Sequence, residues 1–217
     1  MIKGAIFDVD GTLLDSMWIW QETFRSFMER HHVPVPEGAN ETMFHLSLGE
    51  AAGYIYRELN VGSSGQEVLD EIWQIARSLY GSGGKLKPGA YDFLADLKAN
   101  GVPMVIVTSG EREMVASTFA GLGIDHYFTE ILAATNEGVS KREPDLYLRA
   151  ADIMGAQPRD TWVFEDALYA ISVVRGLGFH AIGIEDGQRE KDREQILAKV
   201  DDFWPKFPEK VPALLLQ

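Results

Sequence analysis

The chain contains no cysteine, which excludes a disulfide framework, a thiolate metal site and a cysteine nucleophile. A reducing compartment suits such a chain, and a cytoplasmic location is expected. Long apolar runs are missing too. The stretch between Met-Ile-Lys and Asp8 is only about six residues long, too short for a signal peptide or a membrane span. Basic residues are scarce beside acidic ones: 20 Lys and Arg stand against 33 Asp and Glu, for a net charge of −13. Such a surface repels nucleic acid and anionic membranes, so neither is an expected partner. It also repels phosphorylated metabolites at long range. A site for them has to be locally positive, through a metal, a lysine and backbone amides. No apolar stripe stands out along the sequence, and a monomer is expected.

What is present is ordinary globular material. With 46% hydrophobic and 24% charged residues in 217, a core can form from apolar burial alone. Short apolar runs at 5–7, 102–107, 131–134, 161–164 and 180–184 read as buried strands. Helical spacing connects them. Tyr91, Phe93, Leu94 and Leu97 follow Pro88-Gly89; Met114, Val115, Phe119 and Leu122 precede Gly123; Leu146, Tyr147, Ala150 and Ile153 run from Pro144 to Gly155. This alternation predicts an α/β fold: a Rossmann-like parallel sheet, wound right-handedly and sandwiched by helices. Ligands of such sheets sit beyond the carboxyl ends of the strands. Asp8, Thr108 and Glu165-Asp166 all fall there.

Between residues 16 and 84 the strand signal disappears. Helical patterns at 18–31, 47–59 and 66–80 are separated by Pro34-Val35-Pro36-Glu37-Gly38 and Gly62-Ser63-Ser64-Gly65. An inserted all-helical cap domain, 16–84, within a core of 1–15 and 85–217 is the expectation. Gly81-Ser82-Gly83-Gly84 reads as one hinge and the Asp15-Ser16 stretch as the other. The tail after Gly187 is charged and then aromatic, and is expected to add peripheral helices at the sheet edge.

Asp8-Val9-Asp10-Gly11-Thr12 follows the first strand directly. Two carboxylates at i and i+2 of an extended segment point the same way. Unpaired, they repel, and one has its pKa raised; a divalent cation removes that conflict. An acidic Asp-Gly turn is the plainer alternative. Thr108-Ser109-Gly110 ends a second strand with hydroxyls and a flexible glycine before a helix, a setting for phosphate oxygens or an ordinary cap. Lys141 opens another helix, where a solvated lysine is common. Glu165-Asp166 ends a further strand, where helix capping by Asp166 competes with metal binding.

Taken together, Asp8-x-Asp10-Gly-Thr, Thr108, Lys141 and Glu165-Asp166 resemble the four motifs of the haloacid dehalogenase-like phosphatases in order and spacing. The match covers nearly the whole chain. It looks most like the subgroup with phosphoglycolate phosphatase-like and β-phosphoglucomutase-like enzymes. The resemblance implies a Mg²⁺-dependent phosphoric monoester hydrolase acting on a small phosphate ester. In it Asp8 is the nucleophile that forms an aspartyl-phosphate, and Asp10 the acid–base partner. Thr108 and Lys141 complete the catalytic set. Gly11, Thr108, Ser109, Gly110 and Lys141 bind phosphate, while Asp8, Asp10 and Asp166, with Glu165, hold the metal. The departures are Arg142 where proline is usual, Ala167 for serine and Ala170 for glycine; the absent hydroxyl is expected to loosen support of the metal.

Three readings stay open at this point: a phosphatase for a sugar phosphate or similar metabolite, a phosphosugar mutase, and a binding protein on the same fold. Mutases of this type carry a cap arginine, and Leu46-Ser47-Leu48-Gly49-Glu50 offers no basic residue there. Met17, Trp18, Trp20 and Glu50 are cap candidates for reading the leaving group, with packing between helices the alternative. Arg112 lies one turn after Thr108, within possible reach of substrate or on the solvated surface. His31, His32 and His126 show no metal-ligand spacing.

Overall fold

The computed structural model describes residues 2–44 and 46–216. They form two compact units, residues 16–84 and residues 1–15 with 85–217.

The unit 16–84 consists of α1 (Met17–Arg30), α2 (Ala39–Phe44), α3 (Leu48–Glu58) and α4 (Gly65–Gly83), with no strand among its described residues. Helix α1 buries Ile19, Thr23, Phe24, Phe27 and Met28, the stripe of an amphipathic helix. That stripe meets Ala52, Ile55, Val68, Ile72 and Ile75 in one core. The polar breaks act as helix starts. Ser47 and Glu50 form a capping box, with the Ser47 N–H donating to the Glu50 carboxylate at 2.7 Å. The Glu67 N–H donates to the Ser64 hydroxyl at 3.1 Å at the start of α4. The Gly81-Ser82-Gly83-Gly84 run does not break the helix where expected, because α4 continues through Gly83. Packing explains it: a Cβ on Gly83 would stand 2.6 Å from the Trp18 ring, so the glycine makes room for α1. That contact offsets the roughly 1 kcal/mol that glycine costs a helix.

The second unit holds β1 (Gly4–Phe7), β2 (Met104–Thr108), β3 (Glu130–Ala133), β4 (Thr161–Glu165), β5 (His180–Ile184) and β6 (Asp202–Trp204). They make one parallel sheet in the order β3-β2-β1-β4-β5-β6. Its helices are α5 (Ala90–Ala99), α6 (Arg112–Leu122), α7 (Ala134–Glu137), α8 (Asp145–Met154), α9 (Leu168–Gly176), α10 (Arg193–Leu197) and α11 (Ala213–Leu216). Every residue of β1, β2 and β4 is buried, as both faces of a parallel sheet demand. On one face Phe7 stacks on Phe164 at 4.4 Å, and Phe93, Trp204 and Phe207 pack around them. On the other, Ile6, Val105 and Val163 meet Leu146, Tyr147, Ala150, Ile171 and Val174 of α8 and α9.

The charged tail forms the expected peripheral helices, α10 and α11, and adds an element the sequence did not suggest. Residues 202–204 add a sixth strand, paired in parallel with β5. Trp204 and Phe207 supply part of the aromatic core, so apolar burial draws this segment onto the sheet.

Gly89 links that segment to α5. It sits at φ 80°, and a Cβ there would lie 2.1 Å from the Phe207 carbonyl oxygen, while the Phe207 N–H donates to the Pro88 carbonyl at 3.1 Å. Gly89→Ala therefore adds left-handed strain to a backbone clash and should cost at least about 2 kcal/mol. Urea unfolding of the two proteins measures it, and Gly38→Ala, at φ 77° with open space around it, is the control that isolates the strain.

Candidate active site

Strand register assembles the site. Phe7 pairs with Phe164, so Asp8 and Glu165 leave neighbouring strands side by side at the point where the strand order reverses. The Asp8 N–H donates to the Phe164 carbonyl at 3.1 Å and extends the ladder by one rung. With alternating side chains, both carboxylates continue the face that carries Ile6 and Val163, against which α8 packs. Lys141, four residues before α8, arrives on that face.

Lys141 Nζ donates to Asp8 Oδ1 at 2.6 Å and to Glu165 Oε2 at 2.7 Å. The other oxygen of Glu165 accepts from the N–H groups of Asp166 and Ala167 at 3.2 and 3.0 Å. Asp166 receives Thr12 Oγ1 on Oδ1 at 3.3 Å and Arg189 Nε on Oδ2 at 2.8 Å. Asp8, Lys141, Glu165 and Asp166 are all buried. The Tyr147 hydroxyl donates to the Lys141 carbonyl at 3.4 Å and braces the lysine's backbone from α8.

The loop after β1 is closed by the Leu14 N–H to the Val9 carbonyl at 2.9 Å, with Gly11 at φ 83° supplying the turn. Asp10, half-buried, lies against the Thr108-Ser109-Gly110 loop: a Cβ on Gly110 would stand 3.7 Å from Asp10 Oδ2 and 3.2 Å from Thr108 Oγ1. Thr108 Oγ1 accepts from the Gly110 N–H at 2.9 Å and keeps its own O–H as a donor. Ser109 is exposed and hydrogen-bonds Tyr169 of α9, whose ring lies 4.5 Å from the Arg142 guanidinium.

The electrostatics favour another cation. Asp8 and Glu165 share the single ammonium of Lys141, and Asp166 pairs with Arg189. Burial, with the Asp166 charge adding to it against Lys141, pushes the Asp8 carboxyl above its usual value. Burial and then the Asp8 charge push Glu165 up to about 8. Burial pulls Lys141 down, but the Asp8 and Glu165 carboxylates outweigh it and hold the ammonium well above its usual value. One oxygen from each of Asp8, Glu165 and Asp166 falls within 4.8 Å of the others. This compact all-oxygen donor set fits a hard divalent ion.

The sequence candidates Asp8-Asp10, Thr108-Ser109-Gly110 and Glu165-Asp166 thus stand at the ends of β1, β2 and β4, with Lys141 reaching in before α8. Arg112 belongs elsewhere: its guanidinium pairs with Glu130 at 2.5 Å and Glu137 at 3.1 Å. Met17, Trp18, Trp20 and Glu50 lie in the helical unit. There Trp20 packs edge-on against Trp73 and Tyr80, and Glu50 serves the α3 cap. His31 pairs with Glu71, and the His126 ring lies tilted against Tyr127. Sequence reasoning missed Arg189, whose charged surroundings resemble a solvated turn, and gave no role to Thr12, Tyr147 or Tyr169.

The model of the haloacid dehalogenase-like hydrolase family matches residues 2–178. The chain is 26% identical over 209 residues to validoxylamine A 7'-phosphate phosphatase of Streptomyces hygroscopicus subsp. limoneus, covering 94% of this chain and 98% of that one. It is 29% identical over 186 residues to hexitol phosphatase A of Escherichia coli, covering 84% and 82%. The crystal structure of a family IA, variant 3 hydrolase from Entamoeba histolytica shares the fold at TM-score 0.84 and 21% identity, over 100% of this chain and 98% of that one. This chain belongs to the haloacid dehalogenase-like hydrolases, as one of the family's phosphoric monoester hydrolases.

Proposed function

We propose that the protein is a Mg²⁺-dependent phosphatase that hydrolyses a small phosphorylated sugar or sugar-like metabolite through an aspartyl-phosphate on Asp8. The observation that carries this reading is Lys141, bridging Asp8 and Glu165 at 2.6 and 2.7 Å inside a cluster that also contains Asp166. The substrate class follows the relatives named as a hexitol phosphatase and a validoxylamine A 7'-phosphate phosphatase. In this assignment 1–15 with 85–217 is the catalytic core and 16–84 a cap that selects the leaving group.

An oxygen of Asp8 attacks phosphorus as the bond to the leaving oxygen breaks. Asp10 gives its proton to that alkoxide, then takes one from the water that attacks the phosphoenzyme, which returns phosphate and the free Asp8 carboxylate. The Thr108 hydroxyl and the Ser109 N–H hold phosphoryl oxygens, Gly110 shapes that loop by giving its own N–H to Thr108 Oγ1, and Gly11 lets the Asp8–Asp10 motif turn. Lys141 lies against the nucleophile and neutralises charge on it and on the phosphoryl group. Asp8, Asp166 and the Asp10 carbonyl, with Glu165, would hold Mg²⁺, which supplies charge neutralisation to phosphoryl oxygens when bound.

Phosphate release across a panel of sugar phosphates, phosphoglycolate and nucleotides, with Mg²⁺ or with chelator, tests the reading. Metal-dependent release is the expected result, whereas faster interconversion of hexose phosphates than phosphate release would make the protein a mutase. Asp8→Asn should lower kcat by about 10⁴-fold or more and abolish the acid-stable label trapped on the protein. Asp10→Asn should cost about 10²–10⁴-fold.

The carboxyl shifts give a pH signature. Glu165, at about 8 when folded against an ordinary 4.5, binds a proton in the native chain that the unfolded chain has lost. Without metal, stability should therefore fall as pH rises from 4.5 toward about 8. Metal binding needs the deprotonated ligands, so Mg²⁺ should bind more tightly over the same rise and release protons. Urea melts at pH 6 and pH 8 with and without Mg²⁺, and calorimetry in buffers of different ionisation enthalpy, measure both effects.

A further inference from the structure

We propose that Arg189 is a positioning residue for Asp166, gripping one carboxylate oxygen so that the other is turned toward the cation. The proposal rests on the phosphatase reading, because it concerns the ion that reading requires.

Arg189 lies 23 residues beyond Asp166 and outside all four motif segments. It sits on the turn Gly187–Asp192 that follows β5, the strand beside β4. Its backbone is pinned there. The Arg189 N–H donates to the Asp186 carbonyl at 2.9 Å, and Lys87 Nζ fastens that turn by donating to Asp186 Oδ2 at 3.1 Å and to the Glu185 carbonyl at 2.5 Å. The neighbouring Glu190 side chain is 75% exposed, whereas the Arg189 side chain folds inward and is only 11% exposed. A lone arginine turned inward from a charged surface turn is expensive to bury without a partner, and Asp166 is the partner it meets.

The two oxygens of Asp166 are treated differently. Oδ2 takes a charge-assisted bond from Arg189 Nε at 2.8 Å, and Oδ1 takes a longer one from Thr12 at 3.3 Å. The short bond from a planar guanidinium sets the rotation of the carboxylate, and a lysine lacks that fixed geometry. Oδ1, more loosely held, is the oxygen left to a cation shared with Asp8 and Glu165. Burial argues against a purely stabilising role, because buried ion pairs add little net stability over apolar packing.

Two effects of the arginine on metal affinity have opposite signs, so the measurement separates them. As an orienting group it strengthens binding; as a nearby positive charge it weakens binding. Because its charge is already matched by the carboxylate it grips, orientation dominates. Outer partners of metal ligands typically contribute about 10–100-fold in affinity.

The test titrates the full chain and its Arg189→Gln and Arg189→Lys variants with Mg²⁺ alone by calorimetry, and with Mn²⁺ alone by electron paramagnetic resonance. Circular dichroism checks folding. Arg189→Gln should lose about 10–100-fold in Mg²⁺ affinity and Arg189→Lys should recover only part of it, with a changed Mn²⁺ line shape in both. Equal or tighter binding by folded Arg189→Gln overturns the proposal. If Arg189→Gln does not fold, Arg189→Lys decides alone, and an affinity matching the parent overturns it. A parent chain that binds Mg²⁺ and releases phosphate beside unaffected variants removes only the role of Arg189. A parent that does neither removes the phosphatase reading and this proposal together.

Discussion

A buried ammonium between two buried carboxylates is the constraint on which the rest of the site depends. Lys141 is 3% exposed, yet it touches both Asp8 and Glu165. Three carboxylates taken from water at two strand ends would repel one another and bind protons. The lysine keeps them together, and the shortfall of positive charge that remains suits a divalent ion.

The sheet delivers that arrangement through backbone register rather than through the charged groups themselves. Phe7 and Phe164 are paired across β1 and β4 and stacked at 4.4 Å. A slip of either strand by one residue would turn its acid onto the opposite face, away from the other, and bury the wrong side chains. The aromatic layer on the other face, completed by Trp204 and Phe207 from the tail, therefore helps hold Asp8 and Glu165 in alignment. The tail contributes twice, through that layer and through Arg189 on the turn before it.

Asp166 shows how a departure from the family pattern can leave a buried carboxylate with hydrogen-bond partners from elsewhere in the chain. Ala167 stands where the resemblance leads one to expect a serine hydroxyl, and loosened support was the natural expectation. In the folded chain Thr12, from the loop after β1, and Arg189, from the turn after β5, hold the carboxylate from two sides. Ala170, in the position expected for glycine, is fully buried among α9 and its neighbours, so the methyl group is absorbed by packing.

The chain's own pattern determined the alternation of strands and helices, the helical insertion and the strand ends at which Asp8, Thr108 and Glu165-Asp166 stand. Periodicity and caps are local properties, written within a few residues, and so is a motif. Tertiary structure alone decided which strands are neighbours, that 202–204 becomes a sixth strand, and that α4 runs through glycines that look like a hinge. It alone paired Arg112 with Glu130 and Glu137 and turned Arg189 inward to Asp166. Each of these depends on a partner far away in sequence: an open strand edge, the Trp18 ring, an unpaired buried oxygen. Such partners become neighbours only when burial of apolar surface folds the chain.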